Sequence, residues 1–325
     1  MRVDRAALLL GLGLVFGLAL IAPTAADAQS YATRPVRLVV GFGAGGPTDI
    51  PARFIADKLG RQLGHRVIVE NKPGAAGMLA TRDALSQPAD GHTLLLCTHF
   101  ESINTAVYRN PQFKLTDLAP ISLISKYYYG IAMTNAVPAN DMASFVAYAK
   151  ANPGKLSYAT IGAASAQEIL VRQLERLAGI SMARIPFRTG PQIMPELIAG
   201  RVHIYLSPTL AVLPLHQEKQ LKVLAISSPT RLESAKDIPT LTESKVPFVR
   251  FGWLGICARE GTPQPIIAEL NRRVAAIVAS VEYRTLIEKT GSIATSSTPK
   301  ELEQVIVQTR DEVASTIQEF GMQQD

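Results

Sequence analysis

Apolar positions along the chain alternate between short continuous runs and longer stretches in which they recur every three or four residues. Residues 36–40, Val36-Arg37-Leu38-Val39-Val40, read as a β-branched strand, and over 49–63 the apolar residues Ile50, Phe54, Ile55, Leu59 and Leu63 keep helical spacing. Further strands are expected at 67–69 and 94–97. Alternation of this kind predicts a parallel, doubly wound sheet. An extended stretch at 119–133 predicts a first crossing between two lobes. The pattern then restarts, with helix 142–151, strand 156–160, helix 167–178, strand 184–186, helix 193–199 and strands 202–206 and 221–226. Residues 249–258 are strand-like and carry the chain back, and helices over 265–279 and 299–320 finish the first lobe. The expected architecture is therefore α/β, two doubly wound lobes joined by two crossings around a central cleft. Residues 29–132 and 252–325 build one lobe and 133–251 the other. A cleft between lobes is where a ligand is expected.

The first 28 residues stand outside that pattern. Arg2 and Arg5 precede an uncharged apolar run from Ala6 to Ile21, then Pro23 and the small-x-small site Ala26-Asp27-Ala28. This order reads as a cleaved export signal, with the mature chain starting near Gln29 and residing in the periplasm.

Composition narrows the class. The 325 residues are 47% hydrophobic and 18% charged, as in a packed globular protein, and suffice for two lobes of ordinary size. The net charge of +6 favours anionic partners, but the basic residues are dispersed without aromatic interleaving, which argues against nucleic acid. Two cysteines, Cys97 and Cys257, lie far apart. An oxidising compartment allows them to pair. Each ends an apolar strand-like run, which favours two buried free thiols.

Two loops carry the candidate chemistry. Gly41-Phe42-Gly43-Ala44-Gly45-Gly46-Pro47-Thr48-Asp49 runs from a strand through small residues into a helix capped by Asp49 or Thr48. Residues 157–165, ending Gly162-Ala163-Ala164-Ser165, repeat the layout, with Ser165 and Glu168 spaced as a capping box. Small residues let a ligand approach the backbone, and a helix start offers unpaired N–H donors. Two such starts facing one cleft would grip an anion from both sides. Thr98 and His99 follow the third strand at the cleft edge, where His99 reads equally as a carboxylate contact or a solvated loop residue. Ser207 ends a second-lobe strand, either lining the cleft or simply terminating the strand.

The first loop also matches G-x-G-x-x-G, with Glu70 near where a ribose-binding acid would lie. An exported dinucleotide-dependent oxidoreductase is thus the rival in a different class. Export, a carboxylate at Asp49 where a pyrophosphate would sit, and the lack of hydride-transfer residues count against it. The five histidines form no H-E-x-x-H or other close ligand pair, so neither metal nor cofactor is expected. No G-x-S-x-G elbow exists and no catalytic residue is assigned.

The segment from Phe42 to Arg53 resembles the G-G-x-x-D-x-x-A-R signature of the tripartite tricarboxylate transporter receptors, the Bug or TctC-like family. The likeness continues through Glu70–Gly77, Asp90–Leu94, Leu156–Ala159, Leu224–Ser227, Asp237–Thr240 and Gly261–Pro263. The resemblance implies a type II periplasmic binding fold that closes like a flytrap on a carboxylate. It implies backbone N–H contacts from Ala44–Gly46 in one lobe and from the segment Ala163–Gln167 in the other. The ligand-binding residues expected are Phe42, Ala44, Gly45, Gly46, Thr48, Asp49, Thr98, His99, Ala163, Ala164, Ser165, Gln167 and Ser207. The partners expected are a small organic acid and membrane permease subunits, with the chain acting as a monomer. A receptor docking on a signalling partner is the alternative within the same class. Gly41 and Gly43 stand where the family commonly has prolines, Ser244 follows Glu243 where a Gly is common nearby, and Gln167 stands where a His is frequent. The last change removes a cation from the cleft and turns the expectation from dicarboxylates towards a monocarboxylate, an aromatic acid or an amide-bearing ligand.

Overall fold

A computed structural model describes residues 31–161, 165–246, 249–289 and 291–323. The expected export signal lies outside them. In order come β1 (Val36–Val40), α1 (Asp49–Leu63), β2 (Val67–Asn71), α2 (Met78–Leu85), β3 (Thr93–Thr98), α3 (His99–Val107), β4 (Leu118–Met133) and α4 (Met142–Ala151). Then follow β5 (Ser157–Thr160), α5 (Ala166–Ala178), β6 (Ala183–Pro186), α6 (Gly190–Ile198), β7 (Ile204–Pro208), α7 (Thr209–Gln217) and β8 (Lys222–Ile226). The chain closes with β9 (Phe251–Arg259), α8 (Gln264–Val278), α9 (Val281–Glu288), β10 (Ser292–Ala294) and α10 (Pro299–Glu319).

The main strand path is β2-β1-β3-β9-β4-β7-β5-β6, with β8 and β10 also pairing to β4. Strands β1, β2 and β3 run parallel, as do β5, β6 and β7. The strands that join these triplets, β9 and β4, are antiparallel to their neighbours. Parallel winding read from the alternation therefore holds within each triplet and gives way at the junction.

That junction is one long strand. β4 pairs with β9 from Leu118 to Tyr128, then with β7 from Tyr129 to Met133. Its first part belongs to one lobe and its last to the other. At Tyr127 it faces Gly252 of β9, and the Cβ of any other residue there would fall 2.3 Å from the Tyr127 ring. Glycine is what lets that ring lie across the returning strand.

Side chains of the first lobe's strands alternate between two cores, as pleating requires. Val36, Leu38, Val40, Leu94 and Leu96 enter one cluster, while Val39, Leu95 and Cys97 enter another with Trp253 and Leu302. Each fully buried side chain of this size contributes about 1.5–3 kcal/mol.

The expected pair of free thiols is overturned: Cys97 and Cys257 form a disulfide with their Cα atoms 5.8 Å apart. β3 and β9 are antiparallel neighbours, with Leu95 opposite Cys257 and Cys97 opposite Gly255, so both thiols enter one core at bonding range. Four helices escape the hydrophobic pattern, α2, α3, α7 and α9. Two of them, α3 and α7, begin on the residue after a strand ends, with no loop to announce them.

Candidate functional site

Parallel strands deliver their C-terminal ends, and the helices that follow, to one edge of each lobe. After β1 the chain makes a tight turn into α1, with Gly45 at φ +74°, a conformation glycine adopts without Cβ strain. The turn is tied by Asp49, whose buried carboxylate accepts from Gly45 N–H at 2.8 Å, Arg53 Nε at 2.7 Å and Asn71 Nδ2 at 2.9 Å. Asn71 also donates to the Phe42 carbonyl at 3.0 Å. Burial pushes the Asp49 carboxyl up, but the bonds from Arg53, Gly45 and Asn71 outweigh it and hold the group below its usual value.

This changes the expected anion grip. Gly45 N–H is spent on Asp49, and Gly46 N–H is spent on the Gly43 carbonyl at 3.3 Å. Of the Ala44–Gly46 trio, Ala44 is the donor that the turn itself leaves unused. Asp49 is a brace for the loop rather than its cap, and Thr48 occupies the cap position without a side-chain cap bond. The Thr48 hydroxyl is buried with no hydrogen-bond partner. The Phe42 ring lies 5.1 Å from that of Phe100.

The third strand leads to a different arrangement from the one expected. Thr98 caps α3 in a full box: Phe100 N–H donates to its hydroxyl at 3.0 Å, and its own N–H donates to Glu101 at 2.6 Å. His99 is neither solvated nor a free anion contact. Its Nε2 meets the Tyr129 hydroxyl at 2.8 Å and its Nδ1 the Tyr127 hydroxyl at 3.3 Å, both from the junction strand β4. Burial drives its imidazole down to about 3, so it is neutral.

In the other lobe, Ala163 and Ala164 lie outside the described residues. Ser165 caps α5, accepting from Glu168 N–H at 3.4 Å, while one Glu168 oxygen accepts from Arg184 at 2.9 Å. Gln167 is 2% exposed, bonds the buried Tyr205 hydroxyl, and leaves its Oε1 without a partner. The Thr160 hydroxyl, at the end of β5, is also buried and unpartnered. Ser207 turns its hydroxyl to the Pro208 carbonyl at 3.4 Å, inside the sheet where it faces Gly130 of β4.

The two edges meet. A Cβ placed on Gly43 would lie 3.3 Å from Thr189, and one on Gly46 would lie 3.5 Å from the Pro191 ring. The β1–α1 turn thus packs on the start of α6 and closes the outer rim between the lobes. Sequence reasoning missed Asn71, Thr160, Thr189, Pro191 and Tyr205. Thr189-Gly190-Pro191-Gln192 carried a legible signal, a T-x-x-Q capping box with proline in the first turn.

The G-x-G-x-x-G turn is thus filled by its own aspartate, and Glu70, the candidate ribose ligand, is held by Arg37 at 3.0 and 2.7 Å. Among the described residues no group of His, Cys, Asp and Glu could hold a metal ion, and no helix is long and apolar enough to cross a membrane.

Comparison with known proteins agrees with this geometry. Residues 51–322 match the model of the tripartite tricarboxylate transporter family receptor. A Cupriavidus necator protein encoded in the gbd 5′ region is 32% identical over 273 residues, covering 82% of this chain and 81% of its own. The periplasmic binding protein BugD superposes with a TM-score of 0.87 at 28% identity, covering 91% of this chain and all of that one. An R. palustris protein solved with adipate gives 0.86 at 26% identity, covering 90% and 98%. MatC from Rhodopseudomonas palustris, with bound malate, gives 0.83 at 26%, covering 88% and 99%. With its turns, crossings and closed rim in place, the chain belongs to the tripartite tricarboxylate transporter receptor family.

Proposed function

We propose that this chain is a periplasmic receptor that captures a small organic acid between its lobes and hands it to membrane permease subunits, as a monomer and without catalysing a reaction. Residues 1–28 serve as the export signal, 29–132 and 252–325 make one lobe, and 133–251 the other. The observation that carries the reading is a set of buried polar atoms, Thr48 Oγ1 in one lobe and Thr160 Oγ1 and Gln167 Oε1 in the other, all lacking partners behind a rim closed by Gly43 and Thr189. Nearly all buried polar atoms find partners, and those that do not in a cleft are candidates for a ligand's groups. Ala44 N–H and the segment 163–165 complete the set of contacts.

The energetics fit a small anion. Hydrogen bonds to a charged group contribute about 1.5–3 kcal/mol each, and micromolar affinity corresponds to about −8 kcal/mol. A handful of aimed contacts from the two lobes is therefore enough. The adipate and malate held by the two Rhodopseudomonas proteins, both organic acids on the same fold, support the same ligand class here.

Thermal unfolding of the exported chain against malate, adipate, benzoate and NAD tests the proposal. A ligand at a hundred times its dissociation constant adds about 2.7 kcal/mol of stability. Stabilisation by at least one acid and not by NAD is expected; stabilisation by NAD alone would replace the receptor with a dinucleotide enzyme.

A further inference from the structure

A second space lies between the lobes, at the end of the cleft nearest the crossings. It measures about 180 Å³. Its walls come from both lobes and both crossings: Ile103 of α3, Ala166, Ile169 and Leu170 of α5, Phe251 of β9 and Val313 of α10. His99 and Tyr129 close its inner side. His99 and Ala166 are the first residues of α3 and α5, the helices capped by Thr98 and Ser165, so the space adjoins the strand ends where the polar atoms without partners sit.

We propose that this compartment receives the apolar body of the ligand, and that the preferred ligand is a ring-bearing monocarboxylate of benzoate size. The inference rests on the receptor reading and specifies its ligand class. Three observations support it. The volume slightly exceeds the roughly 150 Å³ of an apolar cavity that takes up benzene, so a single ring fits and a nucleotide does not. The inner wall carries no charge, because His99 is buried and neutral with both ring nitrogens engaged by tyrosine hydroxyls. Next to Ala166, Gln167 holds an amide where a cation would be needed to neutralise a second carboxylate. A short polar diacid would leave the aliphatic walls wet, whereas a ring covers them while its carboxylate stays with the polar atoms at the strand ends.

The walls offer two substitutions that spare those polar atoms. Val313 is only partly buried on α10, so Val313→Trp can fill the compartment without disturbing a tight core. Phe251 is 40% exposed, and Phe251→Ala removes its aromatic wall. Calorimetric titration of the exported chain with benzoate and with malate, in wild type and both variants, decides the matter, with circular dichroism confirming that each variant folds. Wild type is expected to bind benzoate at least tenfold more tightly than malate. Val313→Trp should weaken benzoate at least tenfold and leave malate within twofold, and Phe251→Ala should weaken benzoate about threefold. Malate preferred by wild type, or benzoate binding untouched by both variants, overturns the compartment while leaving the receptor intact. Binding of neither these acids nor adipate overturns the receptor reading and this inference with it.

Discussion

The two turns that face each other across the cleft solve the same backbone problem in opposite ways. The β1–α1 turn satisfies itself: the Asp49 carboxylate takes a backbone N–H, a guanidinium and an amide, and two of its three central N–H groups are already used. The second-lobe edge leaves Thr160 and Gln167 with buried acceptors and no partner. The first lobe also carries a covalent fastening, Cys97–Cys257, and the described residues of the second carry none. One lobe is set before a ligand arrives, and the other is completed by it. Stability should therefore depend chiefly on the first lobe and selectivity on the second.

The largest effect expected is on the fastening itself. Replacing Cys97 and Cys257 together with alanine frees a loop spanning 160 residues. Loop-closure entropy sets the loss near about 5 kcal/mol, read from urea denaturation. A loss below about 1 kcal/mol would erase the contrast in rigidity between the lobes.

Next comes the brace. Asp49→Ala should cost about 2–3 kcal/mol of stability without ligand, since it removes charge-assisted bonds and leaves Gly45 N–H unpaired. The folded carboxyl lies below its unfolded value, so its contribution is present in full above the unfolded value near about 4 and disappears as acid protonates the folded form. Denaturation from pH 6 down to pH 3 should show that acid sensitivity reduced in the variant. An unchanged acid profile would mean the turn does not depend on this carboxylate.

The neutral histidine at the junction gives a third, intermediate effect. Its folded value of about 3 lies below the ordinary 6.5, so the unfolded chain binds the extra proton first as pH falls. Stability is fully present above pH 6.5 and should decline by about 2 kcal/mol on going from pH 6.5 to 5. His99→Phe should flatten that decline; a slope that persists in the variant assigns it to another group.

The smallest stability effect belongs to the yielding lobe. Gln167→Leu removes a buried acceptor that has no partner, so the ligand-free protein should change by less than about 1 kcal/mol. Affinity for its acid should drop about tenfold, and titration that finds no drop removes Gln167 from the site.

How much of this was readable depended on range. Helices α1 and α4 were located to the residue because their apolar spacing and caps are local, and β1 because its run is uninterrupted. Helix α3 was missed although Thr98-His99-Phe100-Glu101 is a capping box in plain text, because it follows β3 without a polar break. The disulfide was out of reach: nothing in the spacing of Cys97 and Cys257 says that β9 returns beside β3. The site followed the same rule. The Asp49–Arg53 pair is an i,i+4 neighbour and legible, whereas the pairing of Asp49 with Asn71 depends on β2 lying beside β1. His99 carried no local sign that two tyrosines from β4 would take both its nitrogens.

The place of β9 in the sheet has a consequence for how the molecule is made. It sits between β3 and β4, yet it is encoded after every strand of the second lobe. A chain that emerges amino end first can finish that lobe while the other still has a gap one strand wide. The earlier-encoded half is thus the later one to be completed, and a chain halted before residue 251 would hold a whole second lobe beside a split first one. Bonding of Cys97 to Cys257 would then mark, in a single chemical event, that the last strand has arrived.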